Sequence, residues 1–247
     1  MDLARSFVIR ERHHRIHNPF TPQKLATLGA AIRLRPGQSL LDLACGSGEM
    51  LCTWSRDHGV SGTGVDISTV FLAGARERAA ELGVSGRVGF VHADAAGFVA
   101  AEPVDVAACI GATWIGDGVQ GTLDLLERSL RPGGTLLIGE PFWREEPDPA
   151  AVAGSGARSR DEFEDLPGLV ASFGRFGWDV VEMVLADGDS WDRYEAAQWL
   201  SVRTWLDENP DDELAGQMRA ELAVAPLNYV RYRRRYLGWG VFALRKR

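Results

Sequence analysis

From Gln38 to Glu140, short apolar segments of strand character alternate with longer segments of helical periodicity. The first apolar segment, SLLDLA, is followed by the amphipathic segment GEMLCTWSRDHG, and the same alternation then repeats along the chain. This alternation predicts a mostly parallel sheet with helices on both faces, because consecutive parallel strands need right-handed crossover connections. We therefore expect an α/β fold with a doubly wound sheet.

The rest of the chain departs from this alternation. WDVVEMVLA predicts a sixth strand and LGWGVFALRKR an alternating last strand, and between them about residues 190–235 predict a helical cap insertion. Residues 1–37 predict an N-terminal helical lid, so the Rossmann-like domain is expected to span residues 38–247. PFWREEPDPAAVAGSGARSR predicts a loop after Glu140, because it is rich in proline, glycine and charge.

Composition argues against several classes of protein. An apolar fraction of 45% supports a packed core, and a formal net charge of −7 argues against a general phosphate-binding surface. No apolar run approaches the roughly 20 residues of a membrane span. The three cysteines are odd in number and predict reduced thiols. Because the first segment is charged and lacks the apolar core of a signal peptide, we expect a cytoplasmic protein without a membrane part.

The segment LLDLACGSGEML places Gly46 and Gly48 directly after the first strand, where glycine lets a ligand approach the backbone. A dinucleotide-binding G-x-G-x-x-G motif would need a third glycine where Leu51 stands, which disfavours a nicotinamide-dependent dehydrogenase. Asp42 lies at the end of the strand, where its carboxylate would repel a pyrophosphate but attract an ammonium or sulfonium group. The motif therefore predicts a cationic ligand.

Two more acids follow the next two strands. In GVDI, Asp66 stands at the end of the second strand, twenty residues after Gly46, where a carboxylate can accept hydrogen bonds from both hydroxyls of a ribose. In HADA, Asp94 and the backbone of Ala95 can bind an adenine edge through an acceptor and an N–H donor. Together with Asp42, these positions predict a nucleoside site at the carboxyl ends of the strands.

In this order and spacing, LLDLACGSGEM, GVDIS, HADA and LRPGGTLLIGE resemble the class I S-adenosylmethionine-dependent methyltransferases of the small-molecule type. The resemblance covers about residues 38–140. It implies a seven-stranded sheet with an antiparallel last strand, and S-adenosylmethionine as the cofactor, with S-adenosylhomocysteine as its product. Ala44 stands where the family usually has its first glycine. The resemblance also implies that the cofactor is bound by Asp42, Ala44, Cys45, Gly46, Gly48, Asp66, Ile67, Asp94, Ala95 and Ile110.

Methyl transfer from a sulfonium is an in-line displacement, for which positioning alone can supply roughly 7–11 kcal/mol of the barrier. A general base is needed only when the acceptor arrives protonated. Two candidates for catalytic residues are Glu140, at the end of the fifth strand, and His17, in the N-terminal lid. Glu140 has the alternative role of binding loop amides. His13 and His17 have metal-ligand spacing, but a solvated helix face is favoured and no metal is expected.

Acceptor binding is expected from aromatic and basic residues near the ends of strands four and five and in the cap. For Trp114 the alternative role is packing at the sheet edge. For the other candidates, Trp143, Arg144 and Tyr232, the alternative is an ordinary position in the core or on the surface. The run YVRYRRRY is basic with interleaved aromatics, a pattern that can bind RNA, but the net negative charge favours a cap surface. We therefore expect a small-molecule acceptor. An RNA methyltransferase and a non-catalytic S-adenosylmethionine-binding protein are the alternatives, and the oligomeric state stays open. The candidate acceptor-binding residues are Trp114, Trp143, Arg144 and Tyr232.

Overall fold

The computed structural model describes residues 3–247, and its centre is a seven-stranded sheet in the order β3-β2-β1-β4-β5-β7-β6. Neighbours among the first five strands pair in parallel, whereas β7 is antiparallel to both β5 and β6. The expected α/β fold with an antiparallel last strand is therefore confirmed. The strands are Ser39–Leu43 (β1), Ser61–Asp66 (β2), Val88–His92 (β3), Val104–Ile110 (β4), Leu130–Trp143 (β5), Trp178–Leu185 (β6) and Leu237–Lys246 (β7).

Helices precede the sheet, connect its strands and form a further layer between β6 and β7. Thr21 caps the second helix by accepting a hydrogen bond from the Lys24 amide, with Pro22 at the first helical position. None of the helices within residues 3–247 is long and apolar enough to cross a membrane. The helices are Arg5–Glu11 (α1), Pro22–Ala31 (α2), Glu49–His58 (α3), Thr69–Glu81 (α4), Val119–Glu127 (α5), Pro149–Ser155 (α6), Leu166–Arg175 (α7), Gly188–Glu208 (α8), Ala215–Asn228 (α9) and Arg234–Tyr236 (α10).

The core lies on both faces of the sheet, because successive side chains of a strand point to opposite sides. Along β5, Leu137 belongs to one buried cluster and Ile138 to the other. The first cluster packs under α2 and α3, and the second under α5 and α7. A third, smaller cluster joins α1 to α8 and α9 through Ile9, Trp205 and Met218. The N-terminal helix is therefore packed against the helices that follow β6.

The structure differs from the expected loop after Glu140. Strand β5 continues to Trp143, and Pro141 pairs with Trp239 of β7. Proline is tolerated there because β4 ends at Ile110, opposite Gly139, so no strand lies on that side of β5 to receive an N–H bond. Helix α6 then occupies part of the segment that composition predicted to be irregular.

The order of the strands places a crevice between β1 and β4. Chain connections leave β1 toward β2 on one side and reach β4 on the other, so the strand order reverses at this point. In open α/β sheets, ligands bind at the carboxyl ends of the strands beside such a reversal. The turn after β1 and the turn after β4 therefore face the same space.

Candidate functional site

A cavity of about 730 Å³ lies at the carboxyl ends of β1, β2 and β4, beneath the N-terminal segment. It brings together all but one of the sequence-predicted cofactor residues, and also His17 and Trp114. Trp114 is 72% exposed, so it stands at the mouth rather than in the interior. The predicted cofactor residues in the lining are Asp42, Ala44, Cys45, Gly46, Asp66, Ile67, Asp94, Ala95 and Ile110.

Residues 44–48, which we call the glycine bend, connect β1 to α3. Ala44, Gly46 and Gly48 have φ values of +58°, +53° and +65°, in the left-handed region that favours glycine. For Ala44 this conformation costs about 1–2 kcal/mol, which explains why a glycine at this position would suit the turn. Asp66 stabilises the bend, because its carboxylate accepts hydrogen bonds from the amides of Gly46 and Ser68, each at 2.8 Å.

Gly48 is the predicted cofactor residue that does not line the cavity. A Cβ at this position would lie 2.6 Å from Cε1 of Phe90 and 3.0 Å from Cβ of Ala75. The absence of a side chain therefore lets α3 approach β3 and α4 closely. The position serves the packing of the elements that carry the bend.

Asp42 and Asp66 are both buried within the cavity wall. Burial, together with the negative charge of Asp66, raises the pKa of Asp42 well above its ordinary value. Burial also raises the pKa of the Cys45 thiol, which makes a thiolate nucleophile unfavourable there. This wall therefore favours a ligand that brings positive charge, which would stabilise the ionised carboxylates.

Asp94 and Ala95 follow β3 at the rim of the same wall. The side chain of Asp94 caps a short 3₁₀ turn, Ala95–Gly97, by accepting a hydrogen bond from the Ala96 amide at 2.9 Å. Asp94 is exposed while Ala95 is buried, so one can contact a ligand edge from the solvent side and the other from beneath.

His17 covers the glycine bend from the N-terminal side. A Cβ on Gly46 would lie only 2.5 Å from Cδ2 of the His17 ring, and the ring stacks on Phe71 with centroids 4.2 Å apart. Its Nδ1 lies 3.0 Å from Oε2 of Glu11 and its Nε2 lies 2.9 Å from Oγ of Ser47. Both ring nitrogens are therefore engaged within the protein.

The inner part of the cavity is apolar, and we call it the apolar compartment. Its polar neighbour is Asn18, whose side-chain amide donates to the carbonyl of Ile110 at 3.1 Å and so joins the N-terminal segment to the end of β4. The compartment combines residues from the segment before α2, from α2 and α3, and from β7. It is formed by Phe20, Leu25, Leu28, Met50 and Val241, all of them buried.

Glu140 lies within β5, three residues before its end, and does not belong to the lining of this cavity. It is buried, and its Oε2 accepts a hydrogen bond from the Thr113 hydroxyl at 2.9 Å. Burial raises the pKa of Glu140 to about 7. The carboxyl group thus supports the 3₁₀ turn Thr113–Gly116 that follows β4, and this turn carries Trp114 and Ile115 of the cavity lining.

The structure does not bring the other three predicted acceptor residues into the cavity. Trp143 is buried, and its indole N–H donates to the carbonyl of Arg160 at 2.8 Å. The backbone amide of Arg144 donates to the carbonyl of Tyr236 at 2.8 Å. The ring of Tyr232 packs directly on Gly154 of α6. Trp143 thus joins the end of β5 to the segment before α7, Arg144 joins the chain after β5 to α10, and Tyr232 packs against α6.

Sequence reasoning missed two features of the site. Phe7 of α1 and Phe71 of α4 line the cavity beside His17, although no motif marks them. Glu11 contacts His17, and the only signal for it in the sequence is an acid three and six residues before two histidines. His13 does not join this cluster; its Nδ1 lies 3.2 Å from Oγ of Ser201. Within residues 3–247, no cluster of three or more potential ligands is arranged to hold a metal ion.

Comparison with known proteins places this geometry in a family. A family model described as a methyltransferase domain matches residues 40–134. The chain is 59% identical to the YjhP protein of Escherichia coli K12 over 245 residues, which is 99% of both chains. Over 196 residues, 76% of this chain and 66% of its relative, it is 35% identical to the ubiquinone/menaquinone biosynthesis C-methyltransferase UbiE of Edwardsiella ictaluri.

A solved structure matches the whole chain. It is the crystal structure of an S-adenosylmethionine-dependent methyltransferase from Geobacter sulfurreducens in complex with S-adenosyl-L-homocysteine. The sequence identity is 62% and the TM-score is 0.98, with 100% of this chain and 99% of the other covered. The likeness therefore includes the N-terminal segment and the helices between β6 and β7, which the family model does not reach.

Proposed function

The chain belongs to the class I S-adenosylmethionine-dependent methyltransferases, and we propose that it methylates a small, largely apolar acceptor by in-line displacement within the cavity described above. When bound, S-adenosylmethionine supplies a methyl group already activated on a sulfonium. The observation that carries the proposal is that one cavity of about 730 Å³ joins an acidic wall to an apolar compartment. Donor and acceptor can therefore lie side by side, with water excluded between them.

The acidic wall fits the nucleoside and the positive charge of the donor. Both oxygens of Asp66 already accept backbone amides, but each carboxylate oxygen has two lone pairs and can also accept a ribose hydroxyl. Asp42 would attract the cationic part of the donor, and the Asp94–Ala95 pair would contact the adenine edge. Ile67 and Ile110 supply the apolar contacts of this half of the cavity.

The apolar compartment supports an acceptor with a largely apolar body. Apart from the aspartates of the acidic wall, which are assigned to the donor, the possible bases in the cavity lining are Glu49 and His17. Glu49 is held by Arg78 through two contacts of 2.8 Å, and His17 is engaged at both ring nitrogens. Neither is free to remove a proton from the acceptor. The proposal is therefore that the protein positions an acceptor whose carbon or heteroatom is already nucleophilic. The relative UbiE is named for C-methylation in quinone biosynthesis, which agrees with this chemistry.

The basic run near the end of the chain gives no support to the RNA-binding alternative. Arg233 contacts Glu195 at 2.9 Å, and Arg234 and Arg235 contact Asp192 and Glu145 at 2.9 Å and 2.7 Å. These carboxylates neutralise the arginines within the chain. Phosphate contacts would have to displace them, which lowers the affinity for nucleic acid.

Titration calorimetry with S-adenosylmethionine and S-adenosylhomocysteine tests the donor half of the proposal. We expect saturable binding of both compounds and a loss of at least about tenfold in affinity for Asp66→Asn, which weakens the anchor of the glycine bend. Asp105→Asn is the matched control, since Asp105 is also a buried carboxylate that binds a backbone amide, but at the opposite end of β4. It should leave donor affinity unchanged.

Transfer of a radiolabelled methyl group to a panel of acceptors tests the other half. We expect product with small apolar phenols, quinols or enols and none with RNA. Donor binding without transfer to any member of the panel would contradict the catalytic proposal, and the absence of donor binding would contradict the assignment of the cavity.

A further inference from the structure

Glu11, the last residue of α1, has a buried carboxylate at the meeting point of three parts of the chain. It is 1% exposed, and its Oε2 lies 3.0 Å from Nδ1 of both His14 and His17. Its Oε1 accepts a hydrogen bond from the hydroxyl of Tyr194 at 2.9 Å and from the side-chain amide of Gln198 at 2.7 Å. Both of these partners belong to α8.

This carboxylate is ionised despite its burial. Burial by itself raises the pKa of Glu11, but the interactions with the nearby rings of His14 and His17 outweigh it and lower the pKa to about 2. A buried ionised group is tolerated only when its lone pairs are satisfied, and four polar groups surround this one. The Glu11 carboxylate is therefore expected to stay ionised at neutral pH.

The contacts continue from Glu11 to the cofactor half of the cavity. One ring nitrogen of His17 contacts Glu11, and the other contacts Ser47 of the glycine bend. The hydroxyl of Tyr194, whose one proton is donated to Glu11, also lies 3.2 Å from the carbonyl of His17, which is its alternative acceptor. The histidine ring is thus fixed in orientation directly above Gly46.

The segment between α1 and α2, residues 12–21, contains no regular helix or strand. Its position over the cavity therefore depends on side-chain contacts of this kind. A donor bound beneath His17 and Phe71 would be covered by this segment. The stability of the closed arrangement then enters directly into the apparent affinity for the donor.

We propose that Glu11 is a positioning residue that fastens the N-terminal segment and α8 onto the glycine bend through His17, and so closes the cavity over the donor. The inference rests on the proposed function, because it requires the donor to lie in the acidic half of the cavity. In this inference His17 connects the N-terminal segment to the glycine bend, and it does not act as the general base considered from the sequence.

The test compares Glu11→Gln with Glu195→Gln by titration of S-adenosylhomocysteine. Glu195 is an equally buried carboxylate on α8, paired with Arg233 and outside the cavity lining, so it controls for the loss of a buried ion pair. We expect the dissociation constant to rise about tenfold for Glu11→Gln, as the closed population falls to about a tenth. We expect a change within about twofold for Glu195→Gln.

A double-mutant cycle with His17→Asn separates positioning from a general loss of structure. If Glu11 acts through His17, adding Glu11→Gln to His17→Asn should weaken donor binding little further. Equal losses in both backgrounds would overturn the inference. Should Glu11→Gln fail to fold, Tyr194→Phe removes only one hydroxyl from the same cluster and should still weaken donor binding several-fold.

The outcomes distinguish the two proposals. Wild-type protein that does not bind the donor contradicts the proposed function together with this inference. Wild-type binding with an unchanged affinity in Glu11→Gln, or in Tyr194→Phe where that variant is used, overturns the role of Glu11 alone.

Discussion

At the scale of single residues, two buried carboxyl groups on β1 and β5 have different roles. Asp42 lines the cavity, and its raised pKa comes from burial and from the charge of Asp66. The pKa of Glu140 is raised by burial, with no contribution from a neighbouring charge, and the carboxyl group faces Thr113 outside the cavity lining. The first is placed to meet a cation, whereas the second supports the turn after β4. The role of a carboxyl group in this sheet therefore depends on the residues around it and not on its position in the strand alone.

Glu140 should make the stability of the protein dependent on pH. Its folded-state pKa of about 7 lies above the ordinary value of 4.5, so its contribution is complete below pH 4.5 and is lost as the pH rises through about 7. Above that point the fold holds a buried charge at a cost of about 1–3 kcal/mol. Glu140→Gln keeps an acceptor for the Thr113 hydroxyl without the charge.

We expect Glu140→Gln to raise the free energy of unfolding by about 1–3 kcal/mol at pH 8 and to change it little at pH 5. Urea unfolding at the two pH values measures this difference. The exposed Glu102 provides a control, since Glu102→Gln should produce no such difference between the two pH values. A Glu140→Gln variant that is less stable at pH 8 would contradict the assignment.

At the scale of elements, the glycine bend is defined by packing as much as by ligand contact. Gly46 is covered by His17 in the cavity, whereas Gly48 faces Phe90 and Ala75 behind it. Two glycines of one motif thus meet different requirements. The left-handed backbone that they share with Ala44 turns the chain from β1 into α3 and leaves the amide of Gly46 free to bind Asp66.

Gly48→Ala should destabilise the protein without altering the wall of the cavity. The left-handed conformation and the close approach to Phe90 together predict a loss of about 2–4 kcal/mol in the free energy of unfolding. Gly74→Ala is the matched control, because Gly74 lies within α4 with open space around it. There, alanine should stabilise the helix by about 0.5–1 kcal/mol.

Chemical denaturation measures both alanine variants, and calorimetry measures donor binding by the folded protein. Folded Gly48→Ala should bind S-adenosylhomocysteine about as well as the wild type. A Gly48→Ala protein of normal stability but weak donor affinity would contradict the packing role of Gly48. It would support the cofactor contact that the resemblance implies for this residue.

At the scale of the whole molecule, the cavity is assembled from separate parts of the chain. The acidic wall comes from the ends of consecutive strands, and the apolar compartment comes from α2, α3 and β7. Helices α1 and α8 hold the segment that covers both. The fold of the donor-binding domain is thus common to the family, whereas in our proposal the compartment and its cover select the acceptor.

Met50→Phe should narrow the apolar compartment and affect the acceptor more than the donor. We expect KM for the acceptor to rise roughly tenfold while the dissociation constant of the donor changes little, since pocket size discriminates apolar groups by about 1–3 kcal/mol. Met218→Phe is the matched control, because Met218 is fully buried in the cluster that joins α8 and α9, away from the cavity. A rise in KM that is equal in both variants would contradict the position of the compartment.

The sequence by itself determined the alternation of strands and helices, the mostly parallel sheet and the acids at the strand ends. These features follow from backbone periodicity and from turn residues, which act over a few positions of the chain. Only the tertiary structure decided that β5 continues past Pro141, that Glu140 lies outside the cavity lining, and that Glu11 meets a hydroxyl 183 residues away. Contacts of that kind depend on how distant elements pack, and no local pattern of residues encodes them.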